Sequence, residues 1–297
     1  MIGVRSHAVL LLAVLAGILV LSFFGLLSGD IPTEFSDLYP ALLDYSSQDL
    51  NQVIIREIRL PRIMMAIISG AGLSVAGMLM QTLFQNPLAG PYVLGINSGS
   101  SLMVALGVLS GVGFFNSELG LIGSALLGAF VFGLFILFTA SFLRNQIGLL
   151  LFGVMLGSFV SAIITILEAG SQAEALKSFA LWSMGSLNNA TVEQIPMIFS
   201  VFIITCFLTF FIIKPLNILV LGEEECRLMG YDIKKIRILI VFITALFTGL
   251  ITAFCGPIAF VGLAVPNLTR MLFKTQNHML LLIANLLFGA FFLLTCD

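Results

Sequence analysis

The sequence predicts an all-α integral membrane protein, a bundle of helices that cross a bilayer. Three observations predict it. Hydrophobic residues make up 59% of the 297 and charged residues only 9%, with a mean hydropathy of +1.13. A soluble domain carries roughly a quarter charged residues, so no water-soluble surface can be built from this chain. The apolar residues fall in continuous runs of about 20, the length of a spanning helix. They do not alternate as the strands of an outer-membrane barrel do.

Polar punctuation divides these runs into nine spans: 8–28, 61–84, 92–112, 119–143, 147–167, 195–213, 236–254, 258–273 and 279–296. Residues 1–297 read as one transmembrane domain. The first run opens on Arg5 and His7, but it is too long for a signal-peptide core and precedes no small-residue cleavage site. It reads as a retained helix. Segment 29–57 follows as an acidic loop, with Asp30, Glu34, Asp37, Asp44, Asp49 and Glu57 against Arg56.

Pro61 has no N–H to donate and suits a helix start. Gly70, Gly72 and Gly77 in the second span let neighbouring backbones come close. Asn86-Pro87 stops that span and Pro91 starts the third. Gly95 and Gly99 lie four apart there, as do Gly153 and Gly157 in the fifth. Asn97, Ser98, Ser100 and Ser101 need partners inside the bundle; bonds between helices or contacts to a substrate would both serve. A shorter apolar piece, 173–186, separates the fifth and sixth spans. In loop 214–237, Glu223, Glu224 and Glu225 load the first turn of a short helix, where the dipole favours anions, and Gly230 ends it. Gly256-Pro257 breaks the chain on the outer face and restarts a short helix downward.

Loop 214–237 also carries Lys214, Arg227, Lys234, Lys235 and Arg237, so the positive-inside rule places it and the N-terminus in the cytoplasm. Nine spans then put 29–57 outside. Arg56, Arg59 and Arg62 are exceptions on the outer face. Snorkelling at the interface explains them; so does docking of an acidic partner.

No Asp, Glu, Lys or Arg falls near the middle of a span, which argues against an ion-driven secondary transporter, the alternative function. A phosphate loop is missing, so the chain does not hydrolyse ATP. His7 and His278 lie in predicted flanks, no HExxH occurs, and the four cysteines (Cys206, Cys226, Cys255, Cys296) form no CxxC pair. No catalytic constellation or metal site is present, and a net charge of −2 offers nothing to nucleic acid.

Four segments carry more. RLPR (Arg59 to Arg62) leads through SGAGLSVAGMLMQ to NPLAGPYVLGINSGSS (Asn86 to Ser101); WSMGSL spans Trp182 to Leu187; LGEEECRLMG spans Leu221 to Gly230; GPIAFVGLAVPNLTR spans Gly256 to Arg270. In order and spacing they resemble the FecCD family, the membrane permeases of iron-siderophore, haem and cobalamin importers. The resemblance implies an ATP-binding-cassette importer in the bacterial inner membrane: a homodimer of ten-span subunits, two cytoplasmic ATPase subunits that bind ATP and Mg, and a periplasmic or surface substrate-binding protein. No cofactor is implied in this chain. The path on the dimer axis would be lined by 147–167 and 173–186, with Gly153, Gly157, Ser158, Ser161 and Thr165, and gated near Arg144, Asn145 and Gln146. Segment 221–237 would be a pair of short coupling helices seated in the ATPase, involving Leu221, Gly222, Glu223, Glu224, Glu225, Arg227, Leu228, Met229 and Gly230. Arg59 and Arg62 would dock the binding protein, with Arg56 adjacent. Asn86, Pro87, Gly95, Gly256, Pro257, Gly262, Pro266 and Arg270 match the motifs; at 267 the family commonly has His and this chain has Asn267. The family continues past Asp297 to a tenth span, so a truncated chain of about nine spans is expected.

Overall fold

A computed structural model describes residues 4–29, 31, 33–43, 45, 48–110, 118–143 and 146–297. All regular elements among them are helical. In chain order they are α1 (Val4–Leu27), α2 (Phe35–Leu43), α3 (Leu50–Val53), a π-type turn (Ile54–Arg59), α4 (Leu60–Leu83), a 3-10 turn (Pro91–Leu94), α5 (Ile96–Leu109), α6 (Glu118–Phe142), α7 (Gln146–Gly170) and α8 (Ala173–Ser183). A second 3-10 turn (Leu187–Asn189) leads to α9 (Ile195–Phe211), α10 (Ile213–Leu219), α11 (Glu223–Leu228), α12 (Ile233–Cys255), α13 (Val261–Phe273) and α14 (His278–Cys296).

α4 is the axis of the bundle. Nearly every residue from Ile63 to Leu83 is buried, and α12, α13 and α14 pack around it. Its small residues make that possible. A Cβ on Gly70 would fall onto the Gly289 carbonyl of α14, and one on Gly77 onto the Gly262 carbonyl of α13, so the backbones touch where no side chain intervenes. At the same crossing Ser74 Oγ donates to Asn285 Oδ1 at 2.8 Å and Thr269 Oγ1 to the same oxygen at 3.2 Å, all three residues being fully buried. α1 lies outside this core, mostly exposed, against α14 at Gly17 and Phe291.

Among the described residues, six helical stretches are long and apolar enough to cross a membrane, and a seventh if α9 and α10, bent by 52°, count as one. The third and eighth expected spans are shorter. α5 and α13 have 14 and 13 residues, about 20 Å at 1.5 Å per residue against a hydrocarbon core of about 30 Å. Each follows a stretch that is not α-helical, the Pro91–Leu94 turn before α5 and residues 256–260 before α13. Cys255 Sγ sits 3.4 Å from Ser69 Oγ, so α12 ends beside the third turn of α4, about 14 Å along α4 from Leu60. The Gly256-Pro257 break packs on α4 there, and Pro257 lines an open cavity with Arg62 and Asp297.

The segment 29–57, expected as a loop, is partly helical. Asp49 caps α3 by accepting from the Asn51 N–H at 2.9 Å, and the helix runs without interruption from Leu50 to Leu83. Pro61 stands in the first turn of α4, as expected, but α4 continues the helix that precedes it. Lacking an N–H, Pro61 cannot bond back to Glu57, and the preceding turn widens: the Leu60 N–H reaches the Ile55 carbonyl.

Candidate functional site

At the C-terminal end of α4, Asn86 Oδ1 accepts from the Leu88 N–H at 2.9 Å and closes a turn. The Pro87 carbonyl then receives two amides, Gln81 Nε2 at 3.0 Å and Asn267 Nδ2 at 2.8 Å. Both amides also donate to the Leu263 carbonyl, at 3.1 and 3.0 Å. Asn267 thus clips the NPLAGP turn to α13, duplicating Gln81.

From there the chain turns back into the bundle. Gly95, in the left-handed region at φ 76°, leaves 3.4 Å between its Cβ position and the Gly153 carbonyl. A side chain would fit there without a clash, but only at the cost of that left-handed backbone conformation. Tyr92 Oη donates to the Ile258 carbonyl, and Gly262 packs on the Pro91 ring. On the other flank the Ser186 N–H bonds the Cys255 carbonyl at 2.7 Å, and Gly256, at φ 70°, packs against the Trp182 carbonyl. Three motifs far apart in sequence, NPLAGPY, WSMGSL and GPIAF, therefore meet at one junction of broken helices. Transporter sites are built from such discontinuous helices.

Phe260 completes the junction. It holds φ 69°, a conformation costly for an aromatic residue, and is 77% exposed. Nothing in the local sequence singles it out. Beside it a cavity of about 400 Å³ opens between Arg62, Met184, Ser186, Asn188 and Pro257.

At the basic end, α13 and α14 meet α4 through a polar chain. Arg270 donates to Gln81 Oε1 and Thr82 Oγ1, both at 3.1 Å. His278 Nε2 lies 2.9 Å from Thr82 Oγ1. On its other side, Asn217 Oδ1 of α10 accepts from the His278 N–H at 2.7 Å and faces Nδ1 at 2.9 Å. An amide oxygen only accepts, so Nδ1 carries the proton, while the Thr82 hydroxyl that faces Nε2 also donates to the Met78 carbonyl at 2.9 Å. Gln85 Nε2 adds a bond to the Leu219 carbonyl at 3.1 Å. His278, expected in a flank, opens α14, where it is fully buried and joins α10 to the central helices.

α11 follows the reading closely. Glu223, Glu224 and Glu225 fill its first turn. Gly230, at φ 83°, ends it with bonds from Gly230 N to Arg227 O and Tyr231 N to Cys226 O, both 3.0 Å, a Schellman closure. Gly222 precedes the helix. Leu221, Leu228 and Met229 stand exposed at 67%, 81% and 57%. Segment 221–237 is not itself a pair of short helices, because residues from Ile233 onward belong to α12; the pair is α10 and α11.

The arginines differ among themselves. Arg59 is only 8% exposed. Its guanidinium donates to the Leu26 carbonyl and Thr33 Oγ1, both at 2.8 Å, and to the Ile31 carbonyl. It caps the C-terminus of α1, where a cation suits the dipole, and is not presented as a docking cation as expected. Arg62 is half-buried and pairs with Asp297 at 2.8 Å, and Arg56 lies 4.4 Å over the Tyr45 ring.

Along α7, Gly153 and Gly157 face inward, toward Gly95 and Ser98 of the junction. Ser158, Ser161 and Thr165 lie on its exposed side, and the Ser158 and Thr165 hydroxyls bond back to the Val154 and Ser161 carbonyls, both at 3.0 Å. The expected path residues are thus split, with the glycines packed and the hydroxyls exposed. Arg144 and Asn145 lie outside the described residues, and Gln146 opens α7.

The model of the FecCD transport family matches residues 15–297. The chain is 36% identical to the hemin transport system permease protein HmuU of Yersinia pestis over 264 residues, 87% of this chain and 78% of that one. It is 34% identical to the molybdate import system permease protein MolB of Haemophilus influenzae over 253 residues, 84% of this chain and 73% of the relative. A solved metal-chelate type ABC transporter in an inward-facing conformation superposes with a TM-score of 0.85 at 29% identity, covering 97% of this chain and 89% of the other.

Proposed function

The chain belongs to the FecCD transport family, and from that premise we propose that it is the permease subunit through which an ATP-driven importer moves a metal chelate across the bacterial inner membrane. The observation that carries this reading is the junction of NPLAGPY, WSMGSL and GPIAF, joined through Gln81, Arg270 and His278 to α10. The subunit pairs with a second copy, and the exposed Ser158, Ser161 and Thr165 of α7 line the path between them. Hydroxyls without charge let a large, partly apolar chelate pass without sticking.

ATP and Mg are bound by a separate ATPase on the cytoplasmic side, with the N-terminus of the permease on that side too. Exposed Leu221, Leu228 and Met229, beside Glu224 and Glu225, suit a groove on that partner. Its closure pushes α10, and α10 moves α4, α13 and α14 through Asn217, His278 and Gln85, opening the path to one side at a time. At the acidic end a substrate-binding protein docks on Arg62 and Arg56, whose charges set encounter rate and register.

Uptake of radiolabelled ferric siderophore, haem and cobalamin, in a strain lacking its own permeases and supplied with this chain, its ATPase and its binding protein, tests the reading. One chelate should accumulate, and a catalytic-base variant of the ATPase should stop it. Uptake that survives this variant refutes the proposal in favour of a secondary transporter.

A further inference from the structure

The end of α6 and the start of α12 enclose a cavity of about 640 Å³, walled by Ser141, Leu143, Arg227, Ile233, Lys234 and Arg237. We propose that it binds the phosphate headgroup of an anionic phospholipid.

One wall is hydrocarbon. Ala140, Phe142 and Leu143 end a helix apolar enough to span a bilayer, so the cavity mouth lies at a membrane surface, whichever face that is. The other wall is cationic. Arg237 is buried, fixed by a 2.7 Å bond to the Leu143 carbonyl and a 2.8 Å ion pair with Glu223. Glu223 also lies 3.8 Å from Arg227. Two arginines thus share one carboxylate, while Lys235, which does not line the cavity, pairs with Asp232 at 3.7 Å. Lys234 is exposed and makes no ion pair among the described residues. A half-apolar, half-cationic cavity at the bilayer edge matches an anionic lipid, with phosphate on Arg227 and Lys234 and the acyl stem along Phe142. An acidic side chain of the ATPase fits less well, since it would leave the α6 wall uncovered.

The test uses the full chain in nanodiscs of equal phosphatidylglycerol and phosphatidylcholine, with lipid retained after detergent washing measured by mass spectrometry. The intact chain should retain phosphatidylglycerol preferentially. Arg227→Gln with Lys234→Gln should cut that preference on the order of tenfold, and Lys235→Gln should leave it. Equal retention of both lipids, a preference that survives the double change, or an equal loss in Lys235→Gln overturns the proposal. So does a double variant that keeps its lipid ratio but no longer co-purifies with the ATPase, which would assign the cavity to that subunit. Should the double variant not fold, a phosphatidylglycerol carrying a photoreactive acyl chain should label the Ala140–Leu143 peptide of the intact chain, and its failure to do so counts equally against the site.

Discussion

Replacing Asn217 with Leu should uncouple the importer. The Leu side chain is close in size but accepts nothing, so the His278 N–H and Nδ1–H, held at 2.7 and 2.9 Å, lose their shared acceptor. His278 is fully buried, so water cannot replace it. Each lost bond costs about 1–1.5 kcal/mol, about 2–3 kcal/mol in all, a roughly 30- to 150-fold shift from docked to undocked α10. Gln85 to Leu219 remains as a second, weaker tie. In proteoliposomes holding permease, ATPase and binding protein, ATP hydrolysis should persist while uptake per ATP falls at least tenfold. Asn217→Asp, which keeps an acceptor, should recover most of it. Uptake and hydrolysis that stay in their normal ratio in Asn217→Leu would show that the His278 link transmits nothing.

Other changes separate packing from recognition. Arg59→Ala should lower the melting temperature, because the α1 terminus loses its cap, whereas Arg62→Ala should leave melting near normal and make binding-protein association slower and less salt-sensitive; the reverse pattern would reinstate Arg59 as the docking cation. Gly77→Ala puts a methyl group onto the Gly262 carbonyl and should destabilise by about 1–3 kcal/mol in denaturation from micelles; a neutral result would mean that α4 and α13 are not in backbone contact. A double-mutant cycle between Ser74→Ala and Asn285→Ala should give a coupling energy of roughly 0.5–1.5 kcal/mol, and strict additivity would contradict the buried bond.

Class and element order were readable because lipid imposes them: a chain this apolar has few alternatives, and Gly70, Gly77, Gly95 and Gly256 mark places where backbones meet. α11 was readable because its acidic first turn and closing Gly230 are local signals. Depth was not. Residues of α5 and α13 are as apolar as those of a full span, and hydropathy reports the medium, not how far a helix reaches. Arg59 and Arg62 occupy equivalent places in one motif, and only the fold shows that Arg59 turns to carbonyls some 30 residues earlier. His278 looked like a flank residue since its partners, Thr82 and Asn217, are 196 and 61 positions away. Phe260 carried no signal, because an aromatic residue in a left-handed conformation is imposed by what surrounds it.

The central place of α4 has a consequence for synthesis on the ribosome. The helices that cover it, α12, α13 and α14, begin at Ile233 and later, while α4 ends at Leu83. At about 5–20 residues per second, translation takes roughly 10–30 s to reach the first of them. For that interval Gly70, Ser74 and Gly77 face lipid or translocon without the surfaces they were shaped for. The innermost helix of this bundle is inserted early and buried last, so its small-residue face is the one that membrane chaperones and proteases have time to inspect.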